Sequence, residues 1–187
     1  MEKNKIRNYV LQKRNAMLSE DKVAASKLIT HALIESQYFK EAKKIGCYMS
    51  NEHEVNTKYL NQAILESKKL LYLPKIKSNN QMDFVACDKK TIYLKNKYGI
   101  LESIDNNIVN VKSIDLIIVP LVAFDSDRNR IGMGGGYYDR KFHYLKKSDK
   151  KSTFLGIAFN CQFYEKIQSD SWDVSLTNII TETGFIH

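Results

Sequence analysis

Three cysteines in 187 residues are too few, and too far apart, to build a framework. Cys47, Cys87 and Cys161 are odd in number and form no C-x-x-C pair. A disulfide scaffold or a zinc cage is therefore not expected, and small buried or half-buried thiols are. No apolar run approaches the roughly 20 residues that cross a bilayer. The segment Met1-Glu2-Lys3-Asn4-Lys5-Ile6-Arg7 lacks the apolar stretch of a signal peptide, and Glu2, Glu20 and Asp21 weigh against a transit peptide. No membrane partner and a cytoplasmic location are the expectation. The chain also lacks internal repeats, low-complexity tracts and any linker long enough to divide it, so one domain over residues 1–187 is expected. A hydrophobic content of 43% with 27% charged residues is ordinary for a soluble globular protein. The formal charge of +8 permits polyanion binding, but the lysines are scattered. The charge suits an anionic substrate, and no nucleic acid partner is expected.

What the chain does have is one dense stretch. Arg130-Ile131-Gly132-Met133-Gly134-Gly135-Gly136-Tyr137-Tyr138-Asp139-Arg140 follows the long β-branched run Ile114 to Pro120, after a polar loop from Asp125 to Asn129. Past the glycines the pattern becomes helical, with Tyr138, Phe142 and Leu145 on one face and Tyr137, Lys141 and Tyr144 beside it. A buried strand, a glycine-rich turn and a helix start together describe an anion site. Glycines reach positive φ and turn N–H groups inward, and the helix start adds partial positive charge. Gly135 is expected to need that freedom. Arg128, Arg130 and Arg140 supply forked donors for phosphate, Asp139 suits a hard cation, and two tyrosines offer flat faces to a heterocycle. The string is not the P-loop pattern G-x-x-x-x-G-K-[ST]. A glycine cluster before a helix is also often a plain turn.

Elsewhere, residues 2–18 read as an amphipathic helix with Ile6, Val10 and Met17 along one face and a basic stripe of Lys3, Arg7 and Arg14. Such a stripe is usually a solvated face, although Lys3 and Arg7, one turn apart, can meet an anion together. Ser19 is an expected N-cap of a second helix. Strands are expected over Lys44–Met49, over Leu70–Lys75 with Pro74 ending it, over Met82–Ala86 at an edge, and over Thr153–Ala158 and Asn178–Glu182. A helix at 58–68 is capped by Asn56 or Thr57, and the helix after the glycines covers about 134–147. Lys146 to Ser152 reads as a polar connector. Glu52, His53 and Glu54 lie in a turn where such groups usually face water, yet a carboxylate at a strand end can also bind a ligand. The whole reads as α/β: a single domain with a mostly parallel sheet flanked by helices on both faces.

Val119-Pro120-Leu121-Val122-Ala123-Phe124-Asp125, followed by the Arg130 to Arg140 string, resembles the signature of the 5-formyltetrahydrofolate cyclo-ligase family. Lys3-Asn4-Lys5-Ile6-Arg7 is similar to that family's amino-terminal Lys-x-x-x-Arg, Glu54-Val55-Asn56-Thr57 to its folate-binding acidic segment, and Gln162 to its glutamine. Tyr98-Gly99-Ile100 is similar to its aromatic-x-Ile segment, with Ser103 where a proline often stands. Tyr98 over the ligand and Tyr98 as a surface tyrosine are equally open.

The resemblance implies ATP-dependent closure of 5-formyltetrahydrofolate to 5,10-methenyltetrahydrofolate, with release of ADP and phosphate. It assigns ATP to Lys3, Asn4, Lys5, Ile6, Arg7, Arg130, Ile131, Gly132, Met133, Gly134, Gly135, Gly136, Tyr137 and Tyr138. The folate falls to Met49, Glu54, Met133, Gly134, Gly135, Gly136 and Tyr137, and Mg²⁺ to Asp139 and Asp173, the latter nine residues before Glu182. Some relatives carry a basic residue where Met133 stands. No residue presents itself as general acid or base, and a monomer is expected. Two other readings remain: a non-catalytic nucleotide or RNA binder of the same fold, and an ATP-independent sugar-phosphate isomerase on a similar scaffold.

Overall fold

The computed structural model describes residues 2–78, 81–143 and 152–186. In chain order the helices are α1 (Lys3–Ala16), α2 (Ser19–Glu35), α3 (Gln37–Glu41), α4 (Lys58–Glu66) and α5 (Tyr137–Phe142). The strands are β1 (Lys44–Gly46), β2 (Leu70–Ile76), β3 (Met82–Cys87), β4 (Tyr93–Lys95), β5 (Leu101–Ser103), β6 (Ile108–Val109), β7 (Leu116–Val119), β8 (Ala123–Phe124), β9 (Arg130–Ile131), β10 (Thr153–Ile157), β11 (Asn178–Thr181) and β12 (Gly184–Phe185). Eight of them form one sheet in the order β12-β11-β10-β7-β1-β2-β3-β6. Its centre, from β11 to β2, is parallel, while β12 on one flank and β3 and β6 on the other run antiparallel. The hairpins β4–β5 and β8–β9 stand outside it.

All four residues of β7 are buried, as expected of a parallel strand covered on both faces. Strand periodicity sends Leu116 and Ile118 to one side, with Ile29 and Leu33 of α2 and Leu60 and Ile64 of α4. It sends Ile117 and Val119 to the other, with Phe84 of β3 and Phe142 of α5. A third small cluster joins Ile6 and Val10 of α1 to Val122, Ala123 and Ile131 of the β8–β9 hairpin. The amino-terminal helix is thereby fastened to the segment that carries the glycines.

Several boundaries differ from the sequence expectation, each for a local reason. The helix after the glycines begins at Tyr137, because the glycines are spent in the turn before it. Tyr144, Leu145 and most of the 146–152 connector lie outside the described residues. Ser19 makes no cap: Leu18 holds that position, and Glu20 and Asp21 complement the helix start instead. Beside α4 the Asn56 side chain accepts the Lys58 N–H at 2.9 Å, while Thr57 sends its hydroxyl elsewhere. β1 pairs only through Gly46, with one further bond from the Cys47 N–H to the Tyr72 carbonyl. Pro74 does not end β2, which runs on to Ile76. Past Tyr72 that strand has β3 on one side only, the edge-like setting that tolerates proline. β3 is not the edge, since β6 covers two of its residues.

Gln162, in a short 3-10 turn at Asn160–Gln162, is 1% exposed. Its amide donates to the carbonyls of Leu121 and Val122, both at 2.9 Å, and accepts the Phe159 N–H at 2.8 Å. These bonds suspend the chain between β7 and the β8–β9 hairpin. Gln162→Leu strands those backbone groups and is expected to cost about 3 kcal/mol. Thermal denaturation should show a drop in Tm of roughly 6–12 °C. A shift no larger than that of an ordinary surface change would show that water replaces the amide.

Candidate active site

β1 lies between β2 and β7, and the chain leaves it first toward β2 on one side and later returns as β7 on the other. In an open parallel sheet, ligands lie beyond the carboxyl ends of the strands at such a reversal. Beyond β1 comes the segment 47–57. Beyond β7 come Pro120, the β8–β9 hairpin and the glycine loop. The topology alone brings those two segments together.

Within the glycine loop, Gly134 has φ +97° and Gly136 φ +62°, values that side-chain-bearing residues rarely adopt. Gly135 does not share them, contrary to the expectation. Its constraint is steric, since a Cβ there would lie 2.8 Å from the Tyr137 ring. Arginines clasp the loop through its carbonyls: Arg7 Nε donates to Gly132 O at 2.8 Å, and Arg140 donates to Gly135 O. The Arg140 guanidinium also lies 5.6 Å from the Tyr137 ring centroid. The Tyr137 hydroxyl meets that of Tyr98 at 3.0 Å. Tyr98, exposed between β4 and β5, is thus a surface tyrosine that reaches the loop exit. Met133 is exposed.

On the next side stand the acids. Lys3 Nζ reaches Asp170 at 2.7 Å and Asp173 at 2.6 Å, and Asp173 Oδ2 also accepts the Asp170 N–H. Burial works to lower the Lys3 pKa, but bonds to Asp170 and Asp173 hold it above the ordinary lysine value. Arg130, its side chain only 6% exposed, pairs with Asp139 at 2.5 Å and donates to the Val174 carbonyl. Asp139 Oδ1 in turn accepts the Val174 N–H at 3.1 Å. Asp139 and the Asp173 segment are therefore tied to one another.

Among the described residues no three His, Cys, Asp or Glu side chains cluster as a cage for a metal. Mg²⁺ does not require one, because it binds through one or two carboxylates and completes its shell with water and phosphate oxygens. Asp139 and Asp173 are hard oxygen donors beside a cationic loop, each neutralised here by a protein cation, Arg130 or Lys3. That donor set fits the ion when a triphosphate is present.

The segment beyond β1 is shaped by Thr57, whose hydroxyl donates to the Tyr48 carbonyl at 2.6 Å and accepts the Ser50 N–H at 3.2 Å. Asn61 adds a bond to the same carbonyl at 3.2 Å and touches Met49 Sδ at 3.6 Å. Glu54 Oε2 accepts the Asn51 N–H at 2.9 Å. Burial pushes the Glu54 carboxyl above the usual carboxylate range, against the pull of that N–H, of Arg14 and of His53. Tyr138, on the first turn of α5, feels Cys47, Glu54 and Arg130. Burial, Cys47 and Glu54 raise its hydroxyl well above the ordinary phenol range. Its hydroxyl thus feels charge from both the Glu54 segment and Arg130, while its ring packs edge-on against Phe142. Cys47 itself is pushed by burial up to about 12, as suits an inert structural thiol.

Of the residues singled out from the sequence, Lys3, Arg7, the glycines, Tyr137, Asp139 and Asp173 are joined in one region; Tyr138 there feels the charge of Glu54, and Met49 lies against Asn61 in the segment beyond β1. Asn4 accepts from Arg7, and Lys5 is exposed. Ile6 and Ile131 are core residues and leave only their backbone for a ligand. Arg128 has φ +65° and turns to the Thr177 carbonyl at 3.4 Å. Asp125, at the start of the polar loop, is 1% exposed and accepts the N–H groups of Asn129 and Ile167. Two residues escaped the sequence reading. Asp170 shares Lys3, and its spacing to Asp173 was the available signal. Arg14, read as part of a solvated stripe, is buried. Its place four residues after Val10 and eight after Ile6 puts it on the inward face of α1.

A model of the 5-formyltetrahydrofolate cyclo-ligase family matches residues 1–182. The 5-formyltetrahydrofolate cyclo-ligase of Haemophilus influenzae is 36% identical over 146 residues, 75% of this chain and 76% of its own length. The enzyme of that name from Mycoplasma pneumoniae is 29% identical over 184 residues, 97% of this chain and 99% of its own. The solution structure of Aquifex aeolicus 5,10-methenyltetrahydrofolate synthetase is similar with a TM-score of 0.85 at 31% identity, covering 99% of this chain and 92% of that one. A 5,10-methenyltetrahydrofolate synthetase from Mycoplasma pneumoniae gives a TM-score of 0.78 at 27% identity, covering 97% and 99%. With residues 1–182 matched by the family model and nearly its whole length superposed on solved members, the chain belongs to the 5-formyltetrahydrofolate cyclo-ligase family of ligases.

Proposed function

We propose that this protein closes 5-formyltetrahydrofolate to 5,10-methenyltetrahydrofolate at the expense of ATP, as a cytoplasmic monomer. The observation that carries the reading is the convergence of Lys3, Arg7, the glycine loop, Asp139 and Asp173 next to the Glu54 segment. A phosphate-handling group thus adjoins a carboxylate suited to a pterin. The formyl oxygen is a very poor leaving group until it is phosphorylated. The γ-phosphoryl group moves to that oxygen with release of ADP. The neighbouring amine nitrogen attacks the activated carbon, the C–O bond breaks with loss of phosphate and of the amine proton, and the amidinium-like product remains.

Such chemistry asks for positioning and charge neutralisation more than for a dedicated base. Lys3 and Arg7 would exchange their present acidic and carbonyl partners for phosphate oxygens. The Gly134–Gly136 turn would bring backbone N–H groups against the triphosphate. Mg²⁺, held by Asp139 and Asp173, would neutralise phosphate charge. Glu54 would accept paired N–H donors of the pterin, with Met49 as an apolar wall. Tyr137 would lie against the ring. No side chain is assigned as general acid or base.

The test is to mix purified protein with 5-formyltetrahydrofolate, Mg²⁺ and ATP and follow methenyl absorbance. Absorbance should rise only when all are present. A flat trace, or one indifferent to ATP, rejects the proposal.

A further inference from the structure

Lys3 opens α1, and its ammonium is held by two carboxylates at once, Asp170 Oδ2 at 2.7 Å and Asp173 Oδ2 at 2.6 Å. The two acids belong to one closed turn. The Asp170 N–H donates to Asp173 Oδ2 at 2.9 Å, and the Asp173 N–H donates to the Asp170 carbonyl at 3.0 Å. That turn is tied to the glycine stretch, since Val174, next in sequence, bonds Asp139 and Arg130. Arg7, one helical turn past Lys3, bonds Gly132. One acid is enough to pair a lysine, so the second calls for a reason. Two anions on one cation leave the trio net negative, which by itself repels a triphosphate. The arrangement gains its sense once Asp173 takes Mg²⁺. A lysine that shared its only carboxylate with a divalent cation would be driven off by it, because like charges at such range repel. Asp170 is an anion that Lys3 can keep.

We infer that Asp170 is a positioning residue of the nucleotide site: it retains the Lys3 ammonium when Asp173 turns to Mg²⁺, so that lysine and metal act on the triphosphate together instead of competing for one carboxylate. The inference rests on Lys3 and Asp173 being the phosphate and metal ligands of the proposed function. The exchange of partners at Lys3 is then partial, with Asp173 given up for phosphate and Asp170 kept. An ammonium carries three N–H donors, so a bond to Asp170 leaves two for phosphate oxygens. The lysine stem is long and flexible, and holding its head in place beforehand lowers the ordering cost of binding. Without Asp170, Lys3 has Asp173 alone, and Mg²⁺ bound there costs the site its lysine. Without Mg²⁺ the same change costs little, because Asp173 still holds Lys3 and one negative charge has gone. Whether Asp170 matters to ATP thus depends on the metal.

Equilibrium titration of the full-length protein with ATP, with folate absent so that no nucleotide is consumed, tests this. It is made once in Mg²⁺ and once in a chelator at matched ionic strength. Asp170→Asn should bind ATP about 10-fold more weakly than wild type in Mg²⁺. In the chelator it should bind within about twofold of wild type, or more tightly. Asp170→Glu, which keeps the charge, should recover most of the loss in Mg²⁺. In a Lys3→Met background, Asp170→Asn should cost nothing further in Mg²⁺, because the two residues act as one unit. Wild-type affinity of Asp170→Asn in Mg²⁺ overturns the inference. So does an equal loss with and without the metal, or the full loss repeated on top of Lys3→Met, since either marks Asp170 as a residue of the turn alone. Two results would reach deeper: a Lys3→Met protein that binds MgATP like wild type removes the nucleotide from Lys3, and a wild-type protein whose ATP affinity ignores Mg²⁺ removes the metal. Either takes the inference with it, and both are visible before Asp170 is touched.

Discussion

Asp139→Asn is expected to lower kcat/KM for MgATP by about 10²–10³ and to raise the Mg²⁺ concentration needed for half-maximal rate. The amide keeps the size of the side chain and can still accept the Val174 N–H through its oxygen. It loses the charge that suits a hard cation and the charge that faces Arg130. Because the Arg130 side chain is 6% exposed, removal of its counter-ion leaves a nearly buried guanidinium without compensation. The variant should therefore also be less stable, by about 1–3 kcal/mol, since Asp139 itself keeps some solvent contact. Arg130→Met separates the two effects. It removes the same ion pair but leaves the carboxylate, so it should lose stability while keeping a wild-type Mg²⁺ requirement, with any loss confined to phosphate affinity. If Asp139→Asn turned over ATP with an unaltered Mg²⁺ dependence, Asp139 would serve only to hold Arg130 and Val174.

How much of this was open to inspection in the chain itself depends on the range of the interaction. β7 announced itself because a strand buried on both faces must be apolar throughout, and Leu116–Val119 is. The glycine loop announced itself because positive φ and close ring packing both demand glycine locally, at Gly134 and Gly136 for the first and Gly135 for the second. Lys3 and Arg7 share a side of α1 by their one-turn spacing, but spacing alone favoured a solvated face, and it was the resemblance that singled them out. Asp170 was not, because its role exists only when residue 3 arrives from the other end of the chain. Arg14 was misplaced because residue type outweighed position: charge argued for solvent, while the spacing from Ile6 and Val10 argued for the interior, and the interior won. Thr57 holds the N-cap position of α4 but makes no side-chain cap bond, for a related reason. Its hydroxyl bonds the Tyr48 carbonyl nine residues back, a partner that exists only once β1 and α4 are in place.

Gly134→Val should cost the protein its nucleotide more than its fold. At φ +97° a β-branched side chain meets its own backbone, and holding such a residue there costs about 1–3 kcal/mol. A Cβ at this position would also lie 3.6 Å from the Arg7 guanidinium, so the added methyl groups of valine crowd the side chain that now grips Gly132. The loop is exposed at Gly134, and the chain can relieve the strain by leaving this conformation without opening the core. Relief therefore shows as a displaced loop, with Tm lowered by only a few degrees. The same free energy becomes a reduced population of the phosphate-cupping form, and ATP affinity should fall by roughly 10–100-fold. Folate affinity measured without nucleotide should fall less than ATP affinity, because only the loop side of that pocket moves, while Glu54 and Met49 are held by Asn51, Thr57 and Asn61. Equilibrium binding of ATP and of 5-formyltetrahydrofolate to the same preparation makes the comparison. Wild-type ATP affinity in Gly134→Val would mean that the loop is an ordinary turn and that the triphosphate lies elsewhere.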